Sequence, residues 1–94
     1  MKAELLQRDR LDFDDGTMLE MVIWRVPKPV QSSHHPYKYR LFFGYPGKRI
    51  VGYDNERQKG DHRHLEGREK RYRFTDVETL VQDFLADVER WRTK

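Results

Sequence analysis

Seven apolar residues near the end of the chain recur at spacings of three and four: Val77, Leu80, Val81, Phe84, Leu85, Val88 and Trp91. That spacing lays them along one face of an α-helix. Thr75 is placed to cap the helix, and Glu78 three residues on completes a capping box. Asp76 and Glu78 suit the positive end of the helix dipole, and Arg90, Arg92 and Lys94 suit the other. An amphipathic stripe is stable only when another apolar surface covers it. The segments before it offer the obvious partner.

Those segments read as strands. Residues 3–13 alternate imperfectly and end in Asp14-Asp15-Gly16, where Gly16 supplies the positive φ of a hairpin loop. Residues 17–26 (TMLEMVIWRV) are apolar on both sides, which predicts a central strand covered at least in part on both faces. Residues 37–45 alternate, with Tyr37, Tyr39, Leu41, Phe43 and Tyr45 on one side and Lys38, Arg40, Phe42 and Gly44 on the other. Pro46-Gly47 fits a type II turn into a strand over 48–54. A short strand over 71–74 is expected as well. The expected fold is one α+β domain over residues 1–94: a four- or five-stranded antiparallel meander with the C-terminal helix packed on one face. Leu80, Phe84, Val88 and Trp91 should lie against Tyr39, Leu41 and Phe43, and Trp24 should also be core.

Two stretches lack this patterning. Residues 27–36, with three prolines and two serines, form a loop, in which His34 and His35 are expected to be solvated. Residues 55–70 hold almost no apolar side chain and are expected on the surface. Charge is unevenly spread: residues 37–74 carry eleven basic and five acidic side chains, a net +6, between mildly acidic ends. A surface that binds a polyanion needs such a concentration. There is no cysteine, which excludes disulfides, thiolate metal sites and cysteine nucleophiles. The first ten residues are too charged for a secretion signal. No window approaches the roughly 18 apolar residues of a membrane span. A cytoplasmic protein without a membrane partner is expected.

The stretch from Tyr53 to His64 (YDNERQKGDHRH) gathers the residues able to do chemistry. His62 and His64 are two apart, so in an extended segment both rings project from the same side. RNA phosphodiester cleavage needs a base for the 2′-hydroxyl, an acid for the leaving oxygen and cations for the phosphorane. His62 and His64 suit the first two roles, while Lys59, Arg63 and Arg40 suit the third, with Lys38 as a further nucleic-acid contact. Asp54 or Asp61 could orient an imidazole. These groups should converge on one solvent-open concavity, with the imidazoles within roughly 7 Å of each other. Tyr53 and Asn55 are read as structural support, Asn55 through side-chain hydrogen bonds at the strand end. A facial metal set of His62, His64 and Asp54 is the alternative for the same residues. The basic surroundings disfavour it, so no metal or other cofactor is expected.

The run YRLFFGYPGKRIVGYDNERQKGDHRH, then YRF and an amphipathic helix, resembles the TumE-like toxins of bacterial type II toxin–antitoxin systems. The start MKAELL, the DG turn and the EMVIWRV strand extend the resemblance over nearly the whole chain. Its most specific element is Tyr53-Asp54-Asn55 followed by His62 and His64. The resemblance implies a ribonuclease toxin made beside a helix-turn-helix antitoxin that neutralises it; a homodimer is compatible with it. Many relatives carry arginine immediately before the YDN, where this chain has Gly52. Lys59 or Arg63 is then the nearest substitute cation. Two other readings stand beside the RNA-cleaving toxin. A non-catalytic nucleic-acid-binding module would need only the basic middle of the chain, and an interaction protein would use an open sheet face or edge.

Overall fold

The computed structural model describes residues 2–30, 33–55 and 59–94. Among these residues six strands form one sheet in which each pairs with its sequence neighbours. In chain order they are β1 (Glu4–Asp12), β2 (Met18–Arg25), β3 (Tyr37–Tyr45), β4 (Lys48–Asp54), β5 (His62–Leu65) and β6 (Arg68–Arg71). All pairings are antiparallel. The helix α1 (Val77–Arg92) follows and covers one face. Among the described residues no helix is long and apolar enough to cross a membrane.

The core follows the alternation. Leu19, Met21 and Ile23 of β2, Tyr39, Leu41 and Phe43 of β3, and Val51 and Tyr53 of β4 share one face and meet Leu80, Phe84 and Val88 of α1. Trp91 joins them at the margin, its ring edge-on to Phe43 at 5.4 Å. Asp87 is buried on the same helix face. The Tyr53 hydroxyl donates to it, as does Arg90 at 2.7 Å, and the Arg63 guanidinium lies 3.6 Å away. Burial first, then Asp87, push the Tyr53 phenol up, so it remains a donor.

Several details differ from the sequence expectation. The sheet has six strands because part of the polar 55–70 stretch folds into the β5–β6 hairpin. Its turn places Glu66 at φ 48° and Gly67 at φ 86°. Hydrophobic alternation could not signal β6, whose four residues (REKR) are all exposed. His62 and His64, expected on the surface, are buried. Of the strand expected over 71–74, only Arg71 is in the sheet. The helix N-cap is Asp76, not Thr75; its carboxylate accepts from the Thr79 backbone N–H at 2.7 Å. β2 is next to the edge, and only one of its faces packs on the helix layer. Trp24, expected as core, is therefore half-buried on the face away from α1. Leu85 of the predicted stripe is 41% exposed.

Candidate functional site

The β4–β5 ladder pairs Asp54 with His62 and Gly52 with His64. Strand alternation turns all four toward the face that α1 leaves open, while Tyr53 and Arg63 turn toward the helix. His62 Nδ1 donates to the Gly60 carbonyl at 3.0 Å, and Nε2 stands 2.5 Å from Asp54 Oδ1. Both ring nitrogens thus face oxygens, an arrangement that an imidazolium satisfies. The His64 ring lies nearly perpendicular to that of His62, centroids 5.0 Å apart. Its Nδ1 accepts from the Arg49 guanidinium at 2.9 Å, which fixes the neutral tautomer with hydrogen on Nε2. Burial first, then the positive Arg49, hold the His64 pKa below its ordinary value, with Glu69 and Asp54 opposing. Glu69 of β6 lies 4.0 Å from His62 Nε2 and 4.0 Å from His64 Nδ1.

Arg49 was not among the residues singled out from the sequence, and Gly52 is the signal that points to it. A Cβ on Gly52 would stand 2.4 Å from Arg49 Cδ. The missing side chain leaves room for Arg49 to lie across position 52 and reach His64. The cation beside the histidines is therefore Arg49, in place of the Lys59 or Arg63 expected from the sequence. Arg63 lies on the opposite face, donating to the Tyr53 hydroxyl at 3.3 Å. Lys59 is exposed and lines a separate depression of about 330 Å³ with His35 and Asp61.

Arg40 is paired across β3–β4 with Asp54. It borders a depression of about 490 Å³ that Glu20, Phe42, Arg49 and Asp54 also line. Lys38 is exposed two residues before Arg40 on the same strand face. Glu69 could not be found from the sequence, because the hairpin that presents it carries no apolar pattern.

The remaining sequence candidates hold the frame. The Asn55 side-chain oxygen accepts from the Tyr39 N–H at 3.0 Å, and its amide donates to the Tyr37 carbonyl at 2.7 Å. Its carboxamide thus stands in for a strand backbone where β4 has ended. Asp61 accepts from the Ser33 hydroxyl at 2.8 Å and the Tyr39 hydroxyl at 2.7 Å, and pairs with His35 Nε2 at 2.7 Å. It anchors the proline-rich loop, and the carboxylate against His62 is that of Asp54. His35 is not the solvated loop residue expected: its ring stacks on Phe74 at 3.8 Å.

A neutral imidazole, a second imidazole held against a carboxylate and a guanidinium between strands make a general base, a general acid and an anion contact available together. The same Asp54, His62 and His64 offer ligand atoms all within 4.8 Å of one another, close enough to hold a metal ion. The Arg49 guanidinium against His64 adds positive charge that opposes a bound cation.

No curated protein matches the sequence. No solved structure matches it. The family model described as "Toxin TumE" matches residues 2–92. With nearly the whole chain covered, including the strands that carry the histidines and the helix behind them, the chain belongs to the TumE toxin family.

Proposed function

We propose that this toxin is a metal-independent endoribonuclease in which His64 is the general base and His62 the general acid. One observation carries the assignment of roles. The two rings are 5.0 Å apart, yet one faces a carboxylate and a carbonyl while the other accepts from a guanidinium. The two adjacent, chemically identical rings thus differ in hydrogen-bonding role: His62 presents N–H groups to oxygens, and His64 presents a lone pair to a donor.

The RNA 2′-hydroxyl gives its proton to His64 Nδ1, and the 2′-oxygen attacks the adjacent phosphorus. His62 turns its Nε2 proton from Asp54 to the departing 5′-oxygen and gives it up as the P–O5′ bond breaks, while Nδ1 keeps the Gly60 carbonyl. The products are a 2′,3′-cyclic phosphate and a free 5′-hydroxyl. Arg49 has two tasks. Without RNA it caps the His64 lone pair; an arriving phosphate draws the guanidinium onto its oxygens and frees Nδ1. Arg40 adds a second cation beside Asp54, and Asp54 positions His62. The nucleophile comes from the substrate, so no serine or cysteine is required. A neutralising helix-turn-helix antitoxin made beside the toxin completes the reading, and the basic middle of the chain would speed the encounter with an acidic partner at low salt.

The test is incubation of the purified protein with RNA, with and without EDTA, beside His62→Ala and His64→Ala. Cleavage to cyclic-phosphate ends that survives EDTA and falls about 10²–10⁴-fold in either variant is expected. Loss of wild-type cleavage in EDTA would replace this mechanism with one routed through a metal. RNA binding without cleavage, unaltered by His62→Ala, would leave the binding-module reading.

A further inference from the structure

The depression of about 490 Å³ beside the histidines is not needed for acid–base chemistry, yet it opens onto the same site through Asp54 and Arg49. Its shape follows from cross-strand registry. Glu20 of β2 pairs with Phe42 of β3, Phe42 with Gly52 of β4, and Gly52 with His64 of β5. These four residues form one transverse row on the face that α1 leaves open. Strands in a sheet are roughly 4.8 Å apart, so Phe42 lies about 10 Å from His64 and Glu20 one strand beyond. A phosphate held by Arg49 at the histidines would have its own base over Phe42, with the edge of that base toward Glu20.

Each element of the row has a chemical reading. Phe42 is half-buried in a depression that Met18 and Val22 also line, where an aromatic ring offers a stacking platform for a base. Arg40 and Arg49 flank it with positive charge suited to the ribose-phosphate backbone. Glu20 brings a carboxylate to a rim otherwise fit for a polyanion. A carboxylate repels phosphate, so its use there lies in accepting hydrogen bonds from a base. Its two oxygens match two donors side by side. Guanine alone among the four RNA bases presents such a pair, N1–H and N2–H₂, on its Watson–Crick edge. On uracil the donor lies between two acceptors, and on cytosine and adenine the amino group sits beside a ring-nitrogen acceptor, which a carboxylate would meet with repulsion.

We infer that this depression is a guanine subsite and that the toxin's substrate is single-stranded RNA cleaved on the 3′ side of guanosine. The inference rests on the ribonuclease reading for the cleavage position and on the depression alone for the base preference. A base paired in a duplex has its Watson–Crick edge occupied, so the strand must be single. Glu20 and Phe42 are specificity and positioning residues; neither handles the transferred protons.

Two measurements separate this inference from the ribonuclease reading. The first is binding of short 2′-O-methyl oligonucleotides, which cannot be cleaved, each all uridine except for one central G, A, C or U. The second is mapping of cuts in the matching unmodified RNAs. The guanine probe should bind about 10–100-fold more tightly than the adenine probe, and cuts should fall after guanosine. Glu20→Gln, nearly isosteric, should collapse the G-to-A ratio toward one, while Glu89→Gln on the exposed side of α1 should leave that ratio as it is. Phe42→Leu should weaken binding of every probe several-fold. Cleavage with no base preference, or a guanine preference that survives Glu20→Gln, would overturn the subsite. Guanine-selective binding without any cleavage would overturn the ribonuclease reading and leave the subsite standing. Displacement of a purified antitoxin, with no oligonucleotide bound, would assign the depression to protein recognition and overturn the inference.

Discussion

His62 Nε2 stands 2.5 Å from Asp54 Oδ1 across a single rung of the β4–β5 ladder, while its other nitrogen donates to the Gly60 carbonyl. The carboxylate therefore sets the orientation of the ring. Asp54→Asn keeps the shape and removes the charge. It is expected to lower kcat by about 10²-fold with little change in KM, read from single-turnover cleavage of a defined RNA. A fall in KM-dependent binding with kcat intact would assign Asp54 to substrate contact instead.

The acid side of the pH profile should report His64. Its pKa is lowered from 6.5, chiefly by burial and then by Arg49. A base must be unprotonated, so activity should persist below pH 6.5 and be lost only as pH falls through the depressed value. Removing a positive neighbour raises the pKa of an imidazole. Arg49→Gln should thus move the acid limb of kcat/KM upward, toward the ordinary histidine value, in addition to lowering the plateau. An acid limb that stays in place would show that Arg49 does not act on His64.

Position 52 offers a test by exchange. Gly52→Ala puts a Cβ 2.4 Å from Arg49 Cδ, so the arginine must shift from its path across position 52 and should lose its contact with His64. Activity should fall about 10²-fold while the unfolding midpoint in urea barely moves. Arg49→Ala alone should behave alike. The double variant Gly52→Arg, Arg49→Ala rebuilds the cation from the neighbouring rung and should recover most of the loss. Failure of the exchange would mean that the guanidinium must come from position 49.

Stability should depend on polar groups that frame the site without taking part in it. Asn55→Ala leaves the Tyr39 N–H and the Tyr37 carbonyl without the carboxamide that meets them, a cost of about 1–3 kcal/mol by urea denaturation. Tyr53→Phe removes one donor from the buried Asp87 carboxylate, which keeps Arg90 at 2.7 Å and Arg63 at 3.6 Å. Its cost should be smaller, about 1 kcal/mol. Equal costs would indicate that the Asp87 network does not share its load.

The helix, β3 and the inward set Tyr39, Leu41 and Phe43 were legible in the sequence because each has a hydrophobic period, while β1, β2 and β4 were marked by their turns and by β-branched and aromatic content. The β5–β6 hairpin was not. All of β6 is exposed and β5 alternates histidine with arginine and leucine, so the burial of His62 and His64 comes from cross-strand neighbours. The grouping of Asp54, His62 and His64 could be anticipated from chain length between them. The identity of the adjacent cation could not, because Arg49 reaches the site over a glycine and that is a property of space, not of sequence distance. His35 shows the reverse error. A histidine in a proline-rich stretch reads as solvated, yet it pairs with Asp61 and stacks on Phe74.

Arg49, Asp54, His62 and His64 all belong to one hairpin, so the whole apparatus hangs on a single registry. A slip of β5 by one residue would send both imidazoles to the opposite side of the sheet and bring Arg63 and Leu65 into their place. What resists the slip lies on the far side. Leu65 packs against the hydrophobic core, and Arg63 is held by Tyr53 and Asp87. The alignment of the histidines is thus proof-read by residues on the opposite face, and under the proposed mechanism a variant at Leu65 or Asp87 should lower cleavage without touching the site.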